Sequence, residues 1–397
     1  MTSPTPRVGL LVNKTAGRLG PSETFLYAHA TELPTETVVV LGNPGYRRFG
    51  LDDGPFLQAQ HRPAKGARWV ARRVGLQSAS GQDARALARF LKNRRVDVVL
   101  AEYGHTAVTV MDACARADVP LVAHFHGWDA YVLPQRPDMM NSYRRLFAQA
   151  VGFVAVSRHM VEQLVSLGAP AERVHWNPCG ARVPATEARP ADAPPAFVAV
   201  GRFTGKKAPF LTLAAFARVR ERHPDARLDM IGDGPLLPAS QQLARGLGID
   251  DAVTFHGATE HDRVYELLAS GRCFVQHSVT APDGDREGTP VSVLEAMALG
   301  VPVVSTRHTG IQDVVAEGTC GTLVDEYDVE GMAEAMSAYA ADPEHARRVG
   351  AAAREAVVST WSMDRSIARL WSIVRHAAGF ELPAPDQGTF LPPQPGG

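Results

Sequence analysis

Glu287 and Glu295 lie in the segment PDGDREGTPVSVLEAMALGVPVVST, residues 282–306, which offers more chemistry than any other stretch of the chain. The first acid falls in a polar, glycine-bearing loop. The second falls inside a helix that Pro290 opens and Gly300 closes, because proline suits a first helical turn and glycine the residue after a last one. Glu295 thus sits inside the helix, further along than Glu287 in the loop before it. Between them, Gly288 and Thr289 lead into a helix N-terminus, whose unpaired amides and positive dipole end suit phosphate oxygens. A carboxylate accepts hydroxyl hydrogen bonds, so the layout suits a molecule with hydroxyls at both ends and a diphosphate in the middle, as in a nucleotide sugar.

Two carboxylates alone read as solvated helix charge, but a second block changes that reading. GRFTGKKAP, residues 201–209, directly follows the strand AFVAV and sets Arg202 and Lys207 around a glycine-bearing turn that begins at Gly201. Cations at the carboxyl end of a strand neutralise a diphosphate as it leaves, arginine by fixed geometry and lysine as a point charge. Lys206 reads as an ordinary exposed turn residue, and the two cations are expected at an exposed strand end. IGDGPL, residues 231–236, adds Gly232 and Gly234, where a missing side chain lets a ligand approach the backbone.

The elements that must carry these residues are legible as βαβ punctuation. RVGLLVN, ETVVVLG, VDVVLAE, VPLVAHF and VGFVAVS recur through the first half, each followed by a polar or helix-patterned stretch. Near-continuous apolar strands belong to parallel sheets covered by helices on both faces. The proline-rich PATEARPADAPP, residues 184–195, reads as a linker, after which the grammar restarts with AFVAVG, ARLDMIG, AVTFHG, CFVQHS, VPVVST and GTLVDE. The expectation is an α/β protein of two doubly wound, Rossmann-like domains facing each other across a cleft: residues 1–183, the linker 184–195, residues 196–380 with a last helix that can cross back to the first domain, and a disordered tail at 381–397. Ligands of such sheets bind at the carboxyl ends of the strands.

Composition excludes several classes. The 397 residues carry 41 Lys and Arg against 42 Asp and Glu, so bulk charge does not point to nucleic acid. The first apolar run, Val8 to Val12, is short for a signal-peptide core, and no run approaches the ~18 residues of a membrane span, so a cytoplasmic protein is expected. Cys114, Cys179, Cys273 and Cys320 are too widely spaced for a CxxC metal pair and read as small buried hydrophobes. One local excess stands out: residues 61–95 hold ten Lys and Arg, Arg68 and Arg72 among them, against the single acid Asp83. This run reads either as a solvated face or as peripheral contact with an anionic membrane or acceptor.

GRFTGKKAP, IGDGPL, HSVTAPDGDREGTPVSVLEAMALGVPVVST and the following TGIQDVV resemble the donor domain of the retaining GT-B glycosyltransferases in the large mannosyl-, galactosyl- and N-acetylglucosaminyl-transferase family, the group 1 glycosyltransferases, over roughly residues 196–375. Glu287-x7-Glu295 is that family's signature. SETFL, residues 22–26, and HFHGWDAY, residues 124–131, are similar to its colanic-acid and exopolysaccharide branch. The resemblance implies that Arg202 and Lys207 bind the donor diphosphate beside Gly201, Gly232, Gly234 and the amides near Gly288, Thr289 and Pro290. It implies that Glu295 holds the ribose, that Glu287 contacts the transferred sugar, and that His126 sits across the cleft. Gly17, Gly20, Glu23, Thr24, Gly127 and Asp129 would shape the acceptor side, while His124 reads as structural. Gly180-Ala181-Arg182 departs from the family's Gly-Val-Asp, and Gln312-Asp313 from its Pro-Glu.

The implied reaction moves a hexose or N-acetylhexosamine from a nucleotide-diphosphate sugar, a UDP-sugar favoured, to a glycan, lipid-linked or small-molecule hydroxyl. No cofactor is expected and no Asp-x-Asp metal motif stands in a fitting place. An epimerase or another two-domain nucleotide-sugar enzyme, and a non-catalytic nucleotide-sugar-binding module, are the competing readings. A dinucleotide enzyme is disfavoured because no GxGxxG follows the first strand.

Overall fold

The computed structural model describes residues 5–12, 24–41 and 79–380. Gly17, Gly20, Glu23, the basic residues from 62 to 73 and the tail 381–397 lie outside the described residues. Within them, twelve strands form two sheets of six, and every strand pair is parallel. The N-terminal sheet runs in the order β2-β1-β3-β4-β5-β6, with β1 Val8–Val12, β2 Thr37–Leu41, β3 Val98–Glu102, β4 Leu121–Phe125, β5 Gly152–Ala155 and β6 Val174–Trp176. The strands β1, β3, β4 and β5 are buried along their whole length, as the unbroken apolar runs require. The short β6 carries no apolar run of its own; pairing with β5 makes it a strand.

Helices α1 Thr24–Thr31, α2 Ala79–Asn93, α3 Gly104–Ala117, α4 Trp128–Tyr131, α5 Pro137–Gln149 and α6 Arg158–Ser166 belong to this half. The second sheet takes the order β12-β11-β10-β7-β8-β9, from β7 Ala196–Val200, β8 Arg227–Ile231, β9 Val253–Gly257, β10 Cys273–Gln276, β11 Val303–Thr306 and β12 Gly321–Val324. Strand order reverses between β7 and β10, and such a switch point leaves a crevice beyond the strand ends. The helices here are α7 Pro209–Arg222, α8 Leu237–Gly246, α9 His261–Ser270, α10 Val291–Leu299, α11 Ile311–Val314, α12 Val329–Ala341 and α13 Pro343–Ala356.

Residues 184–195 are tied to the second domain. Arg354 donates to Pro184 O and pairs with Glu187, Ala188 N donates to Leu299 O, and Arg272 reaches Ala193 O. After a π-helical turn, Val357–Trp361, the chain recrosses the domain boundary alongside its first crossing: Ala181 N donates to Trp361 O and Met363 N to Ala181 O. Gly180 is needed there, since a Cβ would stand 2.5 Å from Ser362 O. The last helix, α14 Met363–Ala377, then lays Met363, Ile367, Leu370 and Val374 on the N-terminal sheet against Val8, Leu10, Leu100 and Val122. All four free cysteines are buried. Among the described residues no helix is long and apolar enough to cross a membrane.

Leu370 is fully buried in that packing. Leu370→Ala should therefore lower the unfolding free energy by about 2–5 kcal/mol. Urea unfolding followed by circular dichroism measures this, and a loss within experimental error would mean that α14 does not dock on the sheet in solution.

Candidate active site

The carboxyl ends of both sheets open onto one cavity of about 820 Å³. From the second domain it is lined by Gly201, Arg202 and Lys207 in the turn after β7, by Gly232 after β8, and by Glu287, Gly288, Thr289, Pro290 and Glu295 around the start of α10. From the first domain come Thr24, His126, Gly127 and Asp129. Residues as far apart in sequence as Thr24 and Glu295 thus share one space. Gly234 is not among its walls. Its φ of +154° and the 2.6 Å that would separate a Cβ from Phe203 O show a different reason for glycine: the turn after β8 presses on the turn after β7. Gly232 serves the same packing, with Gly201 O only 2.1 Å from where a Cβ would lie.

The two basic residues expected at an exposed strand end differ. Arg202 is exposed. Lys207 is largely buried, its Nζ 3.3 Å from Glu287 Oε1 and donating to Gln276 Oε1 at 3.0 Å. Burial pulls its pKa down; Glu287 opposes this, while Lys206 and Arg202 add to it. Glu287 is buried too, which alone would raise its pKa, but the charges of Lys207 and Lys206 outweigh burial and hold it at about 2. Its Oε1 still accepts no aligned hydrogen bond within the protein. The Lys206 expectation is corrected: the side chain is buried, donating to Asp285 Oδ1 and Arg286 O at 3.1 Å each. The turn folds back under the donor loop, so its first lysine braces that loop while the second faces the cavity.

Glu295 has a different environment. It is 7% exposed, with His261 Nε2 at 3.8 Å, and burial pushes its pKa up to about 8. Helix α10 begins beside it with no side-chain cap on its first turn, which leaves the amide end free toward the cavity.

On the opposite wall, Asp129 is buried and accepts three backbone N–H groups, from Gly104, His126 and Gly127 at 2.8–3.0 Å, which fixes the loop after β4. That loop aims the His126 ring at the cavity. Behind the ring, His126 Nε2 lies 2.7 Å from Glu102 Oε2, and His29 Nδ1 lies 2.7 Å from Oε1 of the same carboxylate. His124, also buried, is the third imidazole of this group. His29, Glu102 and His124 bring ligand-type atoms within 4.8 Å of one another. Within this trio the His29–Glu102 contact of 2.7 Å is a hydrogen bond, whereas His124 Nδ1 stands 3.2 Å from Glu102 Oε2 without an aligned hydrogen bond.

The domains meet through backbone as well as side chains. A Cβ on Gly288 would stand 2.4 Å from His126 O, so only glycine lets the donor loop come this close. Thr289 Oγ1 donates to Val156 O at 2.6 Å and accepts from Cys179 N at 3.0 Å. Asp313, in the QD departure, accepts from Arg158 N across the boundary at 2.8 Å, and Arg182 of the GAR departure pairs with Glu32, the residue just after α1. Sequence reasoning missed Glu102, His29 and His308. His308 Nε2 accepts from Glu287 N at 3.1 Å while its Nδ1 contacts Glu326 at 2.5 Å, which holds the donor loop in place. The one available signal was a lone acid ending the apolar run VDVVLAE.

Comparisons with known proteins agree with this geometry. The family description "Glycosyl transferases group 1" matches residues 186–356, and "Glycosyltransferase Family 4" matches residues 22–183. A GDP-mannose-dependent alpha-(1-6)-phosphatidylinositol monomannoside mannosyltransferase of Mycolicibacterium smegmatis is 30% identical over 286 residues, 72% of this chain and 71% of that one. The chain belongs to the group 1 glycosyltransferases. The putative colanic acid biosynthesis glycosyltransferase WcaL of Escherichia coli K12 is 29% identical over 252 residues, and the match spans 62% of each chain. The crystal structure of Anabaena Alr3699/HepE in complex with UDP and glucose superposes with a TM-score of 0.70 at 17% identity, over 92% of this chain and 98% of that one. The two facing parallel sheets are therefore the GT-B fold of this group 1 family member.

The contrast between its two cations sets a stability test. Lys207→Met leaves the Glu287 charge buried without its partner, which typically costs about 3–5 kcal/mol. Arg202→Ala removes an exposed side chain and should stay within about 0.5 kcal/mol of wild type. Chemical denaturation of both variants decides between this arrangement and two equally exposed cations, which would leave both variants as stable as the parent.

Proposed function

We propose that the protein is a retaining glycosyltransferase that moves a hexose or N-acetylhexosamine from a nucleotide-diphosphate sugar to an acceptor hydroxyl. The observation that carries this reading is the single cavity in which Arg202, Lys207, Glu287 and Glu295 on one wall face His126 on the other. On this reading the diphosphate lies across the first turn of α10, between Arg202 and Lys207, and those cations with the helix amides stabilise the charge that develops as it departs. Glu295 accepts from the ribose hydroxyls. Glu287, whose Oε1 lacks an aligned donor, accepts from the transferred sugar, and His126 meets that sugar from the acceptor side. No side chain is assigned as a nucleophile; the departing phosphate takes the acceptor proton on the same face. The positive charge is supplied by the protein, so we propose transfer without a metal ion, a cofactor or nucleic acid.

A UDP-sugar is the proposed donor, and a GDP-sugar is the second to test because one relative bears a GDP-mannose-dependent name. A lipid-linked or small-molecule hydroxyl is the proposed acceptor, with the basic residues of 61–95 against an anionic surface and the protein on the cytoplasmic side. Residues 79–93 of that run form α2, on which Arg89 and Lys92 are exposed. Against an epimerase that holds a dinucleotide, no GxGxxG follows the first apolar strand in the sequence. Against a binding module stands the full set of cations and acids.

Incubation with UDP- and GDP-sugars should release the nucleotide diphosphate, with unchanged rate in EDTA, and NMR of the glycoside product should show the donor's anomeric configuration. Donor binding without release would leave the binding module; inversion or magnesium dependence would overturn the mechanism. Arg202→Ala should cut turnover at least a hundredfold.

Glu295 adds a pH dependence. Its carboxyl is neutral in the free protein below about pH 8, whereas a ribose diol is best held by the ionised form, so donor binding releases a proton. Donor affinity should rise from pH 6 to pH 8, and calorimetric enthalpies should differ between phosphate and Tris by the proton released. Glu295→Gln should abolish both effects; a pH-independent affinity in the parent would remove Glu295 from the ribose.

A further inference from the structure

The last residue of β3 is a buried carboxylate that the donor chemistry does not use. Strand register sets Glu102 beside His124 of β4, and the loop after β4 returns His126 over it. The His126 ring is held on several sides: it stacks on Phe25 of α1 at 4.4 Å, with Tyr103 at 4.9 Å and His124 at 4.3 Å. Such close walls leave little freedom to the ring plane. Both oxygens of Glu102 are engaged, Oε1 by His29 Nδ1 and Oε2 by His126 Nε2, so the carboxylate cannot rotate away.

Resting on the reading that His126 meets the transferred sugar, we propose that Glu102 is the positioning residue of this site, fixing the imidazole through Nε2–H and holding it as an imidazolium, a hydrogen-bond donor at both nitrogens. An ionised carboxylate only accepts, so the protons at both contacts belong to the histidines. A buried carboxylate also needs a compensating charge nearby. Among the groups that face the cluster, His124 cannot supply it, because burial pushes its pKa down to about 4. Asp129 spends its carboxylate on three amides, and Lys206 and Lys207 are committed to Asp285 and Glu287. His29 donates to Oε1 from α1, and the Cys179 thiol lies against the His126 ring. Burial alone would lower the pKa of His126, but its bonds to Cys179 and Glu102 and the charge of Glu102 push it up to about 10. Glu102, which burial would raise, is held well below its usual range by the surrounding imidazoles. The pair is thus a buried carboxylate and imidazolium with the cation on the cavity side.

The test is the pH dependence of Glu102→Gln and Glu102→Asp in the full chain, read as donor turnover and as the ring nitrogen shifts of His126 in histidine-labelled protein. In the parent, His126 should not titrate between pH 6 and pH 9. In Glu102→Gln it should titrate near pH 6–7, with kcat down at least tenfold at pH 8, partial recovery at pH 5.5 and donor KM changed less than threefold. Glu102→Asp should fall between. His126 titrating near neutrality in the parent overturns the proposal, and this holds even if Glu102→Gln does not fold. An unchanged pH profile in Glu102→Gln, or one equivalent of zinc in the purified protein, also overturns it. If the parent turns over no donor, the transferase reading fails, while the ring shifts still decide the charge on His126.

Discussion

The close approach of Gly288 to the carbonyl of His126 is the constraint on which the cavity depends. Two doubly wound sheets can face each other at many separations, but backbone pressed on backbone across the boundary sets one of them. With a would-be Cβ only 2.4 Å from His126 O, a side chain at 288 would force the walls apart. Thr289 follows at once, its hydroxyl bridging Val156 O and Cys179 N on the other domain. The donor loop is therefore anchored to the first domain at the point where it presents Glu287, and helix α10 starts from that anchor. Any displacement of one wall is transmitted to the other within two residues of the reacting groups.

Around this contact the protein buries three charge pairs: Lys207 with Glu287, Lys206 with Asp285, and His126 with Glu102. Buried pairs are weak contributors to net stability, because desolvation offsets much of their attraction. Their value here is positional. A buried carboxylate whose partner moves is left uncompensated, at a cost of several kcal/mol, so each pair resists displacement more stiffly than an exposed one would. Lys206 and the His308 ring together pin the donor loop, from Arg286 O and Glu287 N. Glu102 does the same for the acceptor-side imidazole. Glu295, unlike Glu287, has no buried cation beside it, and burial pushes its pKa up to about 8. One cavity thus carries two acids in opposite states, Glu287 ionised by its lysine neighbours and Glu295 kept protonated by its surroundings.

The return of α14 to the first sheet gives the arrangement its second support. The chain crosses the boundary twice, side by side, at 177–181 and 361–366, where Asn177 and Ser366 exchange hydrogen bonds with backbone on the opposite crossing. Paired crossings behave as one connection with two strands. The first crossing also touches the donor loop, since Cys179 N donates to Thr289 Oγ1, so the paired crossings and the loop anchor form one continuous support beside the cavity.

The strands of both sheets, except β6, were legible as apolar runs, because a strand buried on both faces has nowhere to put a polar residue. The donor block was legible for a related reason: a helix start, its glycines and its two acids are consecutive, so local spacing and backbone chemistry already place them. His126 and Asp129 were readable from HGWD, though only as a loop after a strand. What the sequence could not show is which charges would be buried together. Lys206 and Lys207 are neighbours of the same type, and only the fold of the donor loop over the turn decides that one braces Asp285 and the other meets Glu287. Gly234 looks like room for a ligand until the packing of turn on turn puts the Phe203 backbone there, whereas Gly232 packs on Gly201 and still lines the cavity. Glu102 is an acid at the end of a run until the register of β3 and β4 and the return of α1 surround it with three imidazoles. Local pattern determines elements because it acts over a few residues. Burial, pairing and proton affinity belong to neighbours brought in from other elements, 24 positions away for His126 and Glu102 and 79 for Lys206 and Asp285, and only tertiary structure chooses them.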